Sequence, residues 1–448
     1  MRQFFIFFLF STFSFSQIIS YELVKSWTTN EVQEMYFDNG IPDEAGDVNF
    51  GVDGYKILYF TPDHTGELVL CSGAIYLPKN TLCASPILAW QHGTTASDSW
   101  VPSNIYSDNN VIGALGASQG YVVVMSDFIG LGDGTGFHNY VHADTEASST
   151  IDLILLSKPF AYGKGVDTND QLFLIGYSQG GHATMAAVRE IEENYSDQLQ
   201  VTASAPMAGP YDMSGAQREM LELGEPYPNP GYLPYLLFAY NNIYGLYDDI
   251  SEVLISPYDS YLLGMYSGNY SMWDINQTLP NIPIEIFQPD YYDDYLNDPE
   301  HPFKIALADN DVYDFIPQHP MRILHCNGDD NVAFENAEVA YNAFIEAGAE
   351  DVTLVDGGNY NHTECASLAI IGGKVWIDSM ASICVPDALD INQLEQSKKR
   401  KLIYLVDMLG RRVSEHNQNQ TIIYFYDDGS YEKKVLLNSE KNKFIIIE

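Results

Sequence analysis

The sequence is poor in basic residues, with 21 Lys and Arg against 61 Asp and Glu and a formal net charge of −40. So acidic a chain repels phosphate backbones and anionic membrane surfaces, which excludes nucleic acid as a partner. After residue 16 it lacks any run of about 18 apolar residues, so no membrane-spanning helix is expected in the mature protein. It also lacks self-similar repeats of roughly 20–50 residues, which excludes solenoids and propellers.

Residues 1–16 have the pattern of a secretory signal peptide. Arg2 is followed by the apolar run FFIFFLF and then by small residues, and we predict cleavage between Ser16 and Gln17. The alternative interpretation is a buried strand or helix. The mature chain is therefore expected to be secreted or held at the cell surface, where cysteines can pair.

Short apolar runs alternate with segments of helical periodicity along most of the chain. This alternation predicts an α/β fold, with a mainly parallel sheet and helices on both faces. The first two runs have no helix between them and predict an antiparallel hairpin at one edge of the sheet. The predicted strands are 55–60, 67–77, 87–91, 121–127, 172–178, 201–208, 322–327 and 352–357, and the predicted helices are 143–157, 179–195, 335–347 and 364–381.

Two regions depart from this alternation. Residues 212–319 are rich in Tyr, Pro and Asp, and a segment this long is not a simple loop. We predict that it is a cap or lid inserted into a main domain of residues 17–386; a separate domain with its own function is the alternative. After a polar linker, 387–400, residues 401–448 alternate apolar and polar side chains and predict a small β unit.

The predicted chemistry centres on Gly176-Tyr177-Ser178-Gln179-Gly180. A G-x-S-x-G sequence between a strand and a helix puts serine on a sharp turn, where the glycines allow close packing and the hydroxyl is exposed. The motif alone is a weak signal. Here LFLI before it is typical of a strand and the Ala-rich segment after it is typical of a helix. We therefore predict that Ser178 is a nucleophile.

A serine nucleophile needs a histidine base, which in turn needs a carboxylate. In hydrolases with a serine on such a turn, the acid and then the histidine follow it along the chain. Asp329 and Asp330 come just after the predicted strand RILHCN, and we favour Asp329 because it follows that strand at the usual distance. His362 lies between the strand VTLVDG and a helix and is the predicted base. Four other histidines are expected to be structural or to face the cap: His138, His142, His182 and His325.

Two N–H groups are expected to stabilise an oxyanion beside the serine. One is the backbone N–H of Gln179, at the start of the helix that follows Ser178. The other should come from the loop after the strand ILAWQ, which begins His92-Gly93-Thr94. We favour Thr94 as the donor and expect His92 to shape the loop.

Five cysteines are present, and an odd number leaves at least one unpaired. Cys71 and Cys83 flank a hairpin-like stretch and are predicted to pair. Cys326 and Cys365 lie near the predicted acid and base, so these cysteines should also meet if the acid and base do. A bond between Cys365 and Cys384 is the alternative to this second pair.

Several segments resemble the α/β-hydrolases of the secretory lipase family, over roughly residues 50–385. The resemblance implies the α/β-hydrolase fold with an inserted cap, hydrolysis of carboxylic esters, and no cofactor or metal, although the many carboxylates leave calcium binding open. It also implies that Asp127 lies beside the oxyanion hole; a capping aspartate is the alternative. The segments are QHGT (91–94), SDFIGLGDGTGFHNY (126–140), GYSQGGH (176–182), GDDNVAFENA (328–337) and HTEC (362–365).

The tail carries a second resemblance. Its segments VDMLGRRV and YDDGSYEKK resemble the type IX secretion sorting domain of Bacteroidetes bacteria. The resemblance implies that residues 401–448 are recognised by secretion machinery that exports the protein across the outer membrane. Whether the domain is then cleaved stays open.

These observations predict a secreted serine hydrolase of the lipase or esterase type, acting on a small-molecule or lipid ester through an acyl-enzyme. A peptidase of the same fold would use the same residues, and an acyltransferase or aromatic-ester esterase would differ only in the shape of its pocket. A non-catalytic surface-binding protein is the alternative from another class. It would not need Ser178, Asp329 and His362 together.

Overall fold

A computed structural model of the protein describes residues 17–106 and 109–383, and in the tail residues 402–407, 412–413, 420–426, 431–436 and 445–446. The predicted signal peptide and linker lie outside the described residues. The chain divides into two compact units at Val385 and Pro386. Among the described helices, none is long and apolar enough to cross a membrane.

The first unit is built on a sheet with nine strands among the described residues. They are β1 (Ile18–Trp27), β2 (Val52–Pro62), β3 (Leu68–Pro78), β4 (Ser85–Gln91), β5 (Val122–Ser126), β6 (Thr168–Tyr177), β7 (Val201–Met207), β8 (Met321–His325) and β9 (Val352–Asp356). Their order is β1-β2-β3-β5-β4-β6-β7-β8-β9, and neighbours from β5 onward are parallel. Every residue of β4 is buried, as expected for a parallel strand covered on both faces.

Six helices cover the two faces of this sheet, and six more belong to an insertion described below. Within the described residues the twelve helices are α1 (Thr29–Asp38), α2 (Asn109–Gln119), α3 (Ala143–Gly163), α4 (Gln179–Asn194), α5 (Arg218–Glu222), α6 (Tyr232–Tyr244), α7 (Tyr258–Met265), α8 (Met272–Asn276), α9 (Pro289–Asn297), α10 (Pro302–Ala308), α11 (Glu335–Ala347) and α12 (His362–Asp378). One apolar core includes α3, α4 and α11, and a second includes α1, α2 and α12. Successive residues of a strand point to opposite faces, so Leu174 and Ile175 of β6 belong to different cores.

The predicted hairpin is present but does not lie at the edge of the sheet. β2 and β3 pair antiparallel from Val52↔Pro78 to Pro62↔Leu68. β1, which the sequence pattern did not indicate, pairs antiparallel with the free side of β2. Most of its residues are exposed, so it has no apolar periodicity to detect, and backbone hydrogen bonds specify its position.

The segment between β7 and β8 is a helical insertion that contains α5 to α10 and has an apolar core of its own. Two buried tyrosines of α6 attach it to loops of the sheet. Tyr235 donates its hydroxyl hydrogen bond to Thr95 O at 3.2 Å, and Tyr240 donates to Val141 O at 2.9 Å. The insertion therefore lies against the loops that follow β4 and β5.

The second unit contains a four-stranded antiparallel sheet among its described residues. Its strands are β10 (Leu402–Asp407), β11 (Gln420–Tyr426), β12 (Tyr431–Leu436) and β13 (Ile445–Ile446), in that order. The alternation of apolar and polar residues in the tail thus forms strands, as predicted.

Candidate active site

Ser178 occupies a sharp turn between β6 and α4. Its φ of 63° and ψ of −126° lie in a region that side chains rarely adopt. The turn is compact because a side chain at Gly176 would meet the carbonyl of Gly180, and one at Gly180 would meet the carbonyl of Gln91. The backbone N–H of Ser178 donates to Met207 O at 2.9 Å. These contacts hold the hydroxyl at the carboxyl end of the sheet.

Three distant parts of the chain meet at this hydroxyl. Ser178 Oγ lies 2.9 Å from His362 Nε2, and His362 Nδ1 lies 2.6 Å from Asp329 Oδ2. His362 is the first residue of α12, and Asn361 caps that helix with Glu364. We call Ser178, His362 and Asp329 the candidate triad.

The Asp329 carboxylate is fully buried and surrounded by hydrogen-bond donors. Its Oδ1 accepts from the backbone N–H groups of Asn331 and Val332, and its Oδ2 from His362 and His325. Burial raises the pKa of Asp329, but the hydrogen bonds from His325 and His362 outweigh it and hold the pKa well below its usual range. The carboxylate is therefore ionised across the pH range in which proteins are stable.

Asp330, the alternative acid, makes different contacts. Its Oδ1 accepts from the backbone N–H of His362 at 3.2 Å and from Asn331 Nδ2 at 2.9 Å. Asp330 therefore supports the backbone at the start of α12, while Asp329 contacts the imidazole ring.

Two predicted oxyanion donors flank the serine. Gln179 is the first residue of α4, where the backbone N–H has no acceptor within the helix. A methyl group added at Gly93 would lie 3.7 Å from Ser178 Cβ, so the loop that carries Thr94 runs beside the serine. Thr94 Oγ1 is held by Tyr140 Oη at 3.0 Å. The start of α4 and the loop after β4 thus lie beside the serine, and oxyanion binding by Gln179 and Thr94 stays a prediction.

The Gln179 side chain enters a buried polar network that the sequence did not indicate. Its Nε2 donates to Glu146 Oε1 at 2.8 Å and to His138 Nε2 at 2.9 Å. Glu146 Oε2 also lies 2.7 Å from His182 Nδ1. Burial lowers the pKa of His138 to about 3, so its ring is neutral and accepts this hydrogen bond. Glu146, in the first turn of a predicted helix, had no motif to distinguish it.

Asp127 is fully buried in the loop after β5 and is anchored away from the serine. Its backbone N–H donates to Ser72 O, and its carboxylate accepts from Ser72 Oγ at 2.6 Å and from Ser103 N at 2.7 Å. Burial raises the pKa of Asp127 to about 6. As an anion it offers no donor to an oxyanion. Its contacts anchor the loop after β5, and the position beside the oxyanion hole that the resemblance implies stays a prediction.

The other histidines lie in structural contacts. His92 contacts the carbonyl of Gly93 with Nδ1 and that of Asp127 with Nε2, and so joins the loops after β4 and β5. His142 Nδ1 lies 3.0 Å from Thr145 Oγ1 at the start of α3. His325 is the exception, because it contacts the acid of the candidate triad.

One of the two predicted disulfides is present and the other is wrong. Cys326 and Cys365 are bonded and connect the end of β8 to the first turn of α12. Cys71 is a free, buried thiol in β3, whereas Cys83 is disulfide-bonded. Cys71 is part of an apolar core as a free thiol and does not pair with Cys83. Cys384 lies outside the described residues.

Ser178 and Gln179 contribute to the wall of a narrow pocket with a cavity volume of about 30 Å³. The insertion supplies much of the remaining wall through Met213, Gln217, Leu221, Tyr227, Tyr232 and Leu236. A second narrow pocket, of about 20 Å³, shares Leu221 and Leu236 with the first, and its other lining is mainly aromatic and aliphatic. The pocket at the serine and this apolar pocket in the insertion are therefore neighbours.

The described residues contain no group of three His, Cys, Asp or Glu side chains that could hold a metal ion. The ionisable side chains around Ser178 instead contact one another, as His362 and Asp329 do and as Glu146 and His182 do. The arrangement is suited to the transfer of a proton from a hydroxyl to an imidazole at the N-terminus of a helix.

Comparisons with known proteins agree with this geometry. Residues 103–219 match the family model of secretory lipases. The chain is similar in structure to a proposed hydrolase of Legionella pneumophila (27% identity, TM-score 0.74, 80% of this chain and 96% of that one). It is also similar to the rice cell wall degrading esterase LipA of Xanthomonas oryzae (28%, 0.72, 81% and 97%).

A more distant structure, lipase A of Candida antarctica, shares the fold at 16% identity and a TM-score of 0.57, over 83% of each chain. No curated protein sequence matches the chain. The protein therefore has the α/β-hydrolase fold of lipases and esterases, and within it residues 103–219 match the secretory lipases.

Proposed function

We propose that the protein is a secreted serine hydrolase that cleaves carboxylic esters. The observation that carries the proposal is the continuous hydrogen-bonded chain from Ser178 Oγ through His362 to Asp329, at the wall of an apolar pocket. An activated serine of this kind attacks acyl carbons, and an ester is the acyl substrate that the esterase and lipase relatives share.

Acylation begins when Ser178 Oγ bonds to the ester carbon and its proton moves to His362 Nε2. The electron pair of the carbonyl bond shifts to its oxygen. Asp329, ionised and bonded to Nδ1–H, stabilises the imidazolium that forms and keeps the ring in the working tautomer. The tetrahedral intermediate then expels the alcohol oxygen, which takes the proton from Nε2.

The oxyanion is stabilised by the backbone N–H groups of Gln179 and Thr94. Such fixed donors usually contribute about 3–4 kcal/mol each to the transition state. Hydrogen bonds to Glu146 and His138 fix the side chain of Gln179, so the residue is held in place before the substrate binds. The donors therefore need no rearrangement during the reaction.

Deacylation repeats these steps with water. His362 Nε2 removes a proton from the water as its oxygen bonds to the acyl carbon, and Ser178 Oγ leaves and takes that proton back. The net reaction converts an ester and water into a carboxylic acid and an alcohol. No oxidant, reductant or cofactor enters the balance.

The pockets indicate which part of the substrate binds where. The second pocket, lined by residues such as Phe287, Tyr291 and Phe303, suits an apolar acyl or aryl group better than a charged one. The formal net charge of −40 disfavours an anionic substrate. We propose an uncharged ester with an apolar acyl side, and residues 212–319 as the cap that covers it.

The cellular location belongs to the same proposal. The match to secretory lipases and the similarity to a cell wall degrading esterase support an extracellular enzyme. We propose that residues 1–16 direct export from the cytoplasm and that residues 401–448 are a sorting domain recognised by type IX secretion machinery.

Labelling with a fluorophosphonate tests the central claim. We expect the wild type to be labelled once, at Ser178, and Ser178→Ala to lose both labelling and activity on p-nitrophenyl esters. Ser204→Ala is a matched control, since Ser204 Oγ also contacts a histidine, 2.7 Å from His319 Nε2. A folded wild type that reacts with neither reagent would favour the non-catalytic alternative.

The substrate class is tested by a series of esters from acetate to oleate, with peptide anilides measured in parallel. We expect kcat/KM to rise with acyl length until the two pockets are filled, and anilide cleavage to be far slower. Faster cleavage of the anilides would favour the peptidase alternative.

A further inference from the structure

Asp329 has a second histidine partner besides His362. His325 is the last residue of β8, and its side chain is fully buried. Its Nε2 lies 3.2 Å from Asp329 Oδ2 and 3.1 Å from Val332 O. One carboxylate oxygen thus faces two imidazole rings.

The protonation of His325 follows from its contacts. Both neighbours of Nε2 are acceptors, so this nitrogen carries the proton. Nδ1 is buried and has no hydrogen-bond partner among the described residues, and a proton there would leave a buried donor unsatisfied. The ring is therefore neutral, and its single N–H points at Asp329 and Val332. The Phe334 ring packs against it, with centroids 5.5 Å apart.

This donor differs from the other donors to Asp329. The N–H groups of Asn331 and Val332 bind Oδ1, and they belong to the turn that carries the aspartate itself. His362 binds Oδ2, but its ring must exchange protons with Ser178 during the reaction. Only His325, among the described donors, holds Oδ2 from a rigid strand that takes no part in proton transfer.

We propose that His325 is a positioning residue, whose Nε2–H aims Asp329 Oδ2 at His362 and keeps the carboxyl group ionised throughout the catalytic cycle. This inference rests on the proposed function, because it concerns the same site. His325 contacts no reacting atom, so it acts through Asp329.

Other titratable groups around the pair make different contacts. Asp330 accepts from the backbone N–H of His362. Tyr177 of β6 packs on the His362 ring at 4.9 Å and donates to His362 O. Tyr227 of the insertion donates to Asn331 O at 2.6 Å. In the described part of the chain none of these three donates to the Asp329 carboxylate, so His325 can be varied without removing them.

The test compares His325→Leu, which removes the donor, with His325→Gln, whose amide N–H can reach the place of Nε2–H. We expect His325→Leu to lower kcat/KM at neutral pH by about tenfold, mainly through kcat, as for the loss of one hydrogen bond to a charged group. The acidic limb of the curve of kcat/KM against pH should also move to higher pH. Without the hydrogen bond from His325, the negative charge of Asp329 stabilises the protonated form of His362 more strongly. His362 then keeps its proton to a higher pH.

His325→Gln should restore the limb to its wild-type position and kcat/KM to within about threefold. The matched control is His319→Leu, which removes another buried histidine that bridges a serine and a carboxylate; it should leave the limb unmoved. If His325→Leu fails to fold, His325→Asn replaces it, since its shorter amide falls short of Oδ2.

The titration of His362, followed by nitrogen NMR of the imidazole, gives a readout that needs no turnover. A wild type that does not hydrolyse esters would overturn the proposed function. The NMR titration would still test whether His325 affects the protonation of His362. A loss of activity in His325→Leu without a shift of the limb or of the His362 titration would overturn the inference. So would equal shifts in His319→Leu, or failure of His325→Gln to reverse them.

Discussion

The described residues contain two serine–histidine–carboxylate chains, and the hydrogen bonds of the two chains are about equally short. Besides the candidate triad, Ser204 Oγ lies 2.7 Å from His319 Nε2, and His319 Nδ1 lies 2.6 Å from Glu192 Oε1. We call Ser204, His319 and Glu192 the buried chain. By distances alone the buried chain is as well formed as the candidate triad.

The surroundings of the two serines differ. Ser204 lies within β7 and is fully buried, and its backbone is part of the sheet. Ser178 lies on a turn with a positive φ, lines a pocket, and is followed by the start of a helix. Ser178 therefore borders a pocket and the first N–H groups of a helix, whereas the strand residues after Ser204 use their N–H groups within the sheet.

The buried chain has a structural task. Glu192 Oε1 also accepts from the backbone N–H of Gln318 at 3.0 Å, so the chain joins the end of α4 to the segment that enters β8. The comparison teaches that a short serine–histidine–acid contact satisfies buried polar groups in general. A nucleophile needs access and oxyanion donors in addition.

The largest expected effect separates the two histidines. His362→Ala should lower kcat/KM on esters by about 10⁴-fold or more, because it removes the base. His319→Ala should leave kcat/KM within about threefold but lower the free energy of unfolding by about 1–3 kcal/mol, since it leaves buried partners unpaired. Steady-state kinetics and urea unfolding measure both. Similar losses of activity in the two variants would break the distinction.

The second test concerns the disulfide bond beside the candidate triad. Cys326 and Cys365 are 39 residues apart in sequence and join the elements that carry the acid and the base. Replacing both with Ala should lower the free energy of unfolding by about 4 kcal/mol, from the entropy of the loop that they close. Activity should fall as well.

The matched control for this pair is Cys71→Ala, which removes a buried thiol that is not bonded. Its effect on stability should be only about 1 kcal/mol. Urea unfolding of the three proteins under oxidising conditions makes the comparison; equal losses would mean that the bond itself contributes little.

A third test concerns Asp127, whose carboxylate is fully buried like that of Asp329 but lacks a histidine partner among the described residues. Burial raises the pKa of Asp127 from 3.8 to about 6, so between these values the folded state holds a proton that the unfolded state releases. This contribution to stability is present at low pH and is lost as pH rises through 6. Asp127→Asn lacks the titration, so its stability relative to wild type should rise by about 3 kcal/mol from pH 4 to pH 7.

Urea unfolding of both proteins across this pH range measures the difference. Parallel stability curves would contradict it. The same experiment gives the activity of Asp127→Asn, which should change little, because the carboxylate offers no donor to an oxyanion.

The smallest effect concerns the support behind the oxyanion donors, which the buried chain lacks. Glu146→Gln weakens the acceptor shared by Gln179 and His182. We expect kcat to fall about tenfold, the loss of roughly one hydrogen bond in the transition state, with little change in KM. A rise in KM at unchanged kcat would instead indicate that Glu146 shapes the substrate pocket.

Much of the fold could be predicted because buried positions appear in the sequence as apolar residues at regular spacing. Strands such as β4 and β6 are apolar runs, and α11 begins and ends at the predicted residues 335 and 347. β1 has no such apolar pattern, because its side chains are mostly exposed. The second predicted disulfide failed because spacing along the chain does not say which way a strand residue points.

The sequence was sufficient to predict that Ser178, Asp329 and His362 meet, because the serine turn, the acid after β8 and the histidine before α12 each have a local pattern. The groups around them became visible only in the folded structure. Glu146 and His325 come from unrelated segments and have no motif, and the buried chain shows that serine, histidine and carboxylate also meet inside a sheet, away from the pocket at Ser178. Such contacts depend on how strands and helices pack, and packing brings together residues that no local pattern connects.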